Sequence, residues 1–177
     1  MNITVCTCAQ TVNSFKQCVG ISYSLGPSLY GPLVSGKGGA SFSSSVFEQY
    51  ALVYIHGLSD DLRFQTGMLY ATTQASYSPA DRSDDTVSFS FDETIHLVSI
   101  PLGFRYLVGK HFYYNGGFLL DFDLDRTEHF DNQNGLGVFV GLGLSWNITE
   151  RIDLYINSDL KFHGILGLNK EYGHSRL

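Results

Sequence analysis

The chain has 177 residues, a length that fits one domain, and 44% hydrophobic with 14% aromatic residues can furnish a core or a lipid-facing belt. A formal charge of −6 with only 11 Lys and Arg leaves no clustered basic face for phosphate, which excludes nucleic acid as a partner. No run of about 18 apolar residues occurs, so a transmembrane helix is excluded and only a β-barrel would let this chain span a bilayer.

Residues 1–9 lack a basic n-region and are too short for a complete signal peptide, yet the small residues before Gln10 suit a cleavage point. They are expected to be the remnant of an export signal, with residues 10–177 forming one domain. Cys6, Cys8 and Cys18 are odd in number and lack metal-ligand spacing or a nearby His. Neither a disulfide framework nor a zinc site is therefore expected, and no cofactor or metal is assigned.

The first predicted strand, Val19 to Leu25, puts Val19, Ile21, Tyr23 and Leu25 on one face and Gly20, Ser22 and Ser24 on the other. Successive strand side chains point to opposite faces, so this alternation spells a sheet with one oily and one wet side. A Gly, Pro and Ser loop leads to a second strand, about Val46 to Leu58, whose faces are both partly apolar. After a tight turn at Ser59 to Asp61, the third strand alternates Leu62, Phe64, Met68 and Tyr70 with Arg63, Gln65 and Gly67.

A long polar loop follows, and the fourth strand sets Val98, Ile100, Leu102, Phe104 and Tyr106 against Ser99, Gly103 and Arg105. Gly109 to His111 make the next turn. In the fifth strand Phe112, Tyr114, Phe118, Leu120, Phe122 and Leu124 oppose Asn115, Gly117, Asp121 and Asp123. Beyond another polar loop, Leu136, Val138, Val140, Leu142, Leu144 and Trp146 alternate with Gly137, Phe139, Gly141, Gly143 and Ser145. The seventh strand sets Ile152, Leu154, Ile156, Leu160 and Phe162 against Asp153, Tyr155, Asn157, Asp159, Lys161 and His163.

Short turns alternate with long loops, the signature of an antiparallel up-and-down outer-membrane barrel, which in bacteria has an even strand count. Seven strands are visible, so an eighth is expected beyond Leu177, or else an imperfect closure between the first and seventh. Phe104, Tyr106, Phe112, Tyr114 and Trp146 form one aromatic girdle near the short turns, and Tyr70, Phe122 and Phe162 a second near the long loops. Phe112 to Phe122 is ten steps, which at ~3.3 Å per residue and ~40° tilt covers roughly 25 Å, the height of a lipid-facing band. Val98, Ile100, Leu102, Phe118, Leu120, Val138, Val140, Leu142, Leu154 and Ile156 would face lipid.

The stretches LVSIPLGFRYLVGKHFYYNGGFLLDFDLD (97–125), HFDNQNGLGVFVGLGL (129–144) and INSDLKFHGILGL (156–168) resemble the PorT-like outer-membrane β-barrel family of Gram-negative bacteria. The likeness covers the C-terminal half, the rest following by pattern only. It implies a small barrel made with a cleaved signal and closed by a last strand ending in an aromatic, features this chain lacks at its two ends. It implies a location in the outer membrane, and no catalytic motif comes with it.

Arg63, Arg105, Asp121, Asp123, Asp153, Asp159 and Lys161 would face inward, where an eight-stranded barrel leaves room only for side chains. They are expected to pair with one another as a polar core, in preference to a narrow ion path. Asp121, Asp123 and Asp125 with Asp131, Asn132 and Asn134 offer oxygen ligands, but Arg126 and Asn132 break the calcium-loop pattern and solvated loop acids are expected. Gly31, Gly36 and Lys37 lack the Ser or Thr and the helix of a phosphate loop. His96 with Ser99, and His163 with Ser158, face opposite sides of their strands, so no nucleophile pair forms within a strand and no catalytic residue is assigned.

These features predict an outer-membrane barrel with a filled polar lumen, acting as a structural, surface-interaction or envelope accessory component through its long loops. Its partners would be outer-membrane lipid and other envelope proteins. The alternatives are a soluble lipocalin-like barrel holding a small apolar ligand, and a narrow ion-conducting pore. Glycine and mixed charge on one face suit a crowded lumen better than a solvent surface.

Overall fold

The structure, a computed structural model, describes residues 1–9, 16–27, 41–78, 91–124 and 134–167. These residues form eight antiparallel strands: β1 (Asn2–Ala9), β2 (Gln17–Pro27), β3 (Ser41–Gly57), β4 (Leu62–Ser78), β5 (Phe91–Val108), β6 (Phe112–Asp123), β7 (Gly135–Asn147) and β8 (Ile152–Gly167). Each strand pairs with the next in sequence, and β8 returns to β1, closing the barrel. The predicted all-β, up-and-down architecture is the observed one.

One expectation is corrected. The eighth strand is β1, built from the residues read as an export-signal remnant. Asn2 pairs with Ser24 on one side and Asn157 on the other, and Thr7 with Val19 and Ile152. The physical reason is the same period of two: Thr4, Cys6 and Cys8 are buried in the lumen while Ile3, Val5 and Thr7 are exposed outside. The small residues Thr7, Cys8 and Ala9, which suited a cleavage point, are the last three of this strand.

Two short turns are built alike. Leu58 and Ser59 donate their N–H groups to the Leu62 carbonyl, and the Ser59 hydroxyl accepts from the Leu62 N–H at 3.0 Å. Ile148 and Thr149 donate to the Ile152 carbonyl, and Thr149 Oγ1 accepts from the Ile152 N–H at 3.0 Å. The β5–β6 turn instead uses Gly109 at φ 70°, a left-handed conformation that costs a glycine little.

Several strands are longer than expected. β4 continues to Ser78 and β5 starts at Phe91, inside the segment predicted as loop. β3 begins at Ser41 with a register shift between Ser44 and Phe47.

The core lies inside the barrel. Ile55 and Leu119 are fully buried, and Tyr113, Tyr155 and Phe139 turn their rings into the lumen. The inward glycines make room for these rings: a Cβ at Gly143 would sit 2.5 Å from Tyr113 Cζ, and one at Gly103 would sit 2.6 Å from Phe139 Cζ. A smooth cylinder of side chains would not fit. Alternation of glycine with aromatic rings lets the lumen side chains interdigitate.

Candidate functional site: the barrel lumen

Arg105, Asp121 and Asp153 are buried and Arg63, Asp123, Asp159 and Lys161 half-buried, each on the strand register that carries the lumen residues. They form three layers from the short-turn end upward. In the lowest, Asp153 is 2% exposed and acts as a hub. Lys16 Nζ donates to both of its carboxylate oxygens at 2.7 Å, Asn147 Nδ2 to Oδ1 at 2.6 Å, and the Tyr155 hydroxyl to Oδ2 at 3.1 Å. Arg63 Nη1 donates to the Tyr155 hydroxyl at 3.0 Å.

Beside this hub, Cys8 and Cys18 are bridged by a disulfide, against the expectation of no disulfide framework. Their strands pair them directly across β1 and β2, with Cα atoms 4.0 Å apart. That register is invisible while residues 1–9 are read as a leader. The Cys8 sulfur, which carries no proton in the disulfide, lies 3.3 Å from Asp153 Oδ2. Cys8, Cys18 and Asp153 also lie close enough to share a metal ion, but the disulfide occupies both sulfurs. Cys6 is free and buried.

Arg105 sits just above. Its guanidinium lies over the faces of both Tyr113 and Tyr155, 4.8 and 4.6 Å from their centroids, and Nε donates to Gln65 Oε1. Asp159 forms the middle layer: Asn157 Nδ2 and Asn115 Nδ2 donate to its Oδ1 at 2.6 and 3.1 Å. Lys161 reaches across to β3, donating to Gln49 Oε1 at 2.6 Å.

At the long-connection end, fully buried Asp121 accepts from the Ser99 hydroxyl at 2.6 Å and the Gly164 N–H at 3.2 Å. His163 Nδ1 lies 3.0 Å from the same carboxylate. Asp123 is half-buried, and its N–H donates to Asn134 Oδ1 at 2.7 Å. Ser99, Asp121 and His163 thus meet across strands, but the carboxylate stands in the middle. A serine bonded to Asp has no imidazole to take its proton, so this is not a nucleophile constellation. His96 is on the outside, with its Nδ1 2.8 Å from the Tyr70 hydroxyl.

The partners found are not the ones expected: Asp153 pairs with Lys16 and Asp121 meets His163, both outside the predicted set, while Arg63, Arg105 and Lys161 take a tyrosine hydroxyl, tyrosine rings and glutamine oxygens. Gln49, Gln65, Tyr113 and Tyr155 were missed as network members. Their signal was a glutamine or an aromatic ring on the wet register.

The oily face points outward. Leu102, Phe118, Val140 and Leu142 are exposed, with Leu142 at 60%, and Val98, Ile100, Leu120, Val138, Leu154 and Ile156 are half-exposed on the same face. Of the aromatic girdles, Phe104, Tyr106, Phe112, Tyr114, Tyr70, Phe122 and Phe162 are exposed and Trp146 is half-exposed. The suggested calcium ligands Asp125, Asp131 and Asn132, and Gly31, Gly36 and Lys37, lie outside the described residues.

Nothing in this geometry points to an enzyme. No protein-family model matches the chain, and neither does a curated protein or a solved structure.

Proposed function

We propose that this chain is a non-conducting barrel of the bacterial outer membrane, serving as a structural, surface-interaction or envelope accessory component through the connections at its long-loop end. The observation that carries the reading is the inversion of the usual protein arrangement. Ile21, Leu142 and Phe118 are 70, 60 and 55% exposed, whereas Asp121 is fully buried. A soluble monomer rarely exposes a contiguous apolar patch beyond a few hundred Å². Hydrocarbon is the solvent in which such a surface is stable, and a closed barrel satisfies its backbone there. The resemblance to PorT-like barrels and a disulfide typical of exported proteins agree with this location.

A lipocalin-like carrier would need an apolar hollow of about 300 Å³ or more for its ligand. The lumen cavity here is about 40 Å³, and Arg105, Asn115 and Asp159 are among its walls. A continuous ion path is opposed by the layer of Tyr113, Arg105 and Tyr155 and by buried Ile55 and Leu119. A lipid-modifying enzyme has no activated nucleophile among the described residues.

The test is refolding from urea into phosphatidylcholine vesicles. Protease protection and heat-modifiable migration in detergent are expected. A monomer that stays soluble and folded in buffer free of lipid and detergent would overturn the proposal.

A further inference from the structure

The short turns among the described residues differ in charge. The β3–β4 turn carries Asp60 and Asp61 with no cation, and the β7–β8 turn carries Glu150 beside Arg151. The β5–β6 turn, Gly109 to His111, is the cationic one, with Lys110 and His111 exposed and no acid. Among the described residues Lys110 enters no ion pair, and the N–H groups of Lys110 and His111 find no backbone carbonyl.

The β6–β7 ladder sets this turn against the aromatic girdle. The Ser145 N–H donates to the His111 carbonyl at 2.7 Å, and His111 Nδ1 lies 3.1 Å from the Ser145 carbonyl oxygen. Phe112 pairs with Leu144, so the chain one step beyond His111 comes level with Trp146. Phe112, Tyr114 and Trp146 share the outward face here, and Tyr114 pairs with Tyr106. The acidic turn lies on the far side of β5, where the Asp61 carbonyl accepts from the Leu107 N–H at 2.7 Å. Tyrosine and tryptophan rings sit at headgroup depth in a bilayer, and a lysine at the rim of such a girdle holds its ammonium in the phosphate layer.

We propose that the β5–β6 turn is a docking point for the headgroup of an anionic phospholipid, with Lys110 as its cationic contact beside Trp146. The inference rests on the membrane reading above and adds to it a lipid class, a leaflet and a place on the wall. Charge selects the occupant. A choline headgroup brings its own cation to the phosphate, whereas a glycerol headgroup leaves the phosphate charge for Lys110 to neutralise. The turn with Asp60 and Asp61 repels the same lipid, which confines the preference to the β5–β7 side of the barrel.

Trp146 is the single tryptophan of the chain and reports on lipid at this spot. The experiment refolds the intact chain into dioleoylphosphatidylcholine vesicles that carry brominated phosphatidylglycerol or brominated phosphatidylcholine, and compares the quenching of Trp146 fluorescence. Phosphatidylglycerol should be favoured about fivefold at low salt, the factor that one lysine supplies at an anionic surface, and the preference should fade at high salt. Lys110→Gln should bring the two lipids to parity and Lys110→Arg should keep the preference, with both variants heat-modifiable in detergent. Equal quenching by the two lipids in the unaltered barrel, or a preference that survives Lys110→Gln, would overturn the inference and leave the membrane reading standing. Quenching by neither lipid would overturn both.

Discussion

Arg105 on β5 packs over the rings of both Tyr113 on β6 and Tyr155 on β8, with its guanidinium 4.8 and 4.6 Å from the two centroids. The two rings meet edge to face at 5.9 Å, so three strands converge on one side chain. In the proposed reading this layer closes the lumen. The unaltered barrel is expected to be silent in planar-bilayer recordings. The double variant Tyr113→Ala, Tyr155→Ala removes both rings and should give discrete conductance steps; each truncation should also cost about 3–5 kcal/mol of stability. Conductance in the unaltered protein would show that the layer does not seal.

The outward face can be tested residue by residue. Leu142 lies in the middle of β7, whereas Ile148 lies in the turn after it. In a bilayer, Leu142→Arg should cost about 2–4 kcal/mol and Ile148→Arg about 0–1 kcal/mol, read from urea titrations of vesicle-inserted protein. On a water-exposed surface both changes would stay within about 0.5 kcal/mol. Equal, small effects would refute lipid contact.

How far the sequence led is clearest at β1 and β8. For β8, Asp153, Tyr155, Asn157, Asp159 and Lys161 alternate with Ile152, Leu154, Ile156 and Leu160, and the structure places the two sets inside and outside. In β1 the inward residues Thr4, Cys6 and Cys8 are small and weakly polar, so the contrast between faces is faint. The tips of β4 and β5 were missed because Thr72, Thr73, Gln74 and Thr94 carry polar groups on both faces. Cross-lumen partners such as Lys161 and Gln49 depend on the stagger around the closed barrel, which no single strand's pattern contains.

Gly143 faces Tyr113, and a Cβ there would lie 2.5 Å from the ring. Gly143→Ala should therefore cost about 1–3 kcal/mol through overpacking. The companion Tyr113→Leu should relieve part of that penalty, giving a favourable coupling in a double-mutant cycle. Additive effects in the urea titrations would mean that the two positions do not press on each other.

Oxidised protein should contain one titratable thiol, Cys6, reacting with maleimide only after denaturation, and a mass two hydrogens below the fully reduced chain. The bridge closes a separation of 10 residues, so its loss in Cys8→Ser, Cys18→Ser should lower stability by about 3 kcal/mol. Three thiols in protein isolated under non-reducing conditions would disprove the bridge.

The barrel is sealed where its first and last strands meet, and β1 pairs there only over Asn2 to Thr7. Any parting of the wall along that join would leave β1 tied to β2 through sulfur as well as through its ladder, and β2 in turn paired with β3.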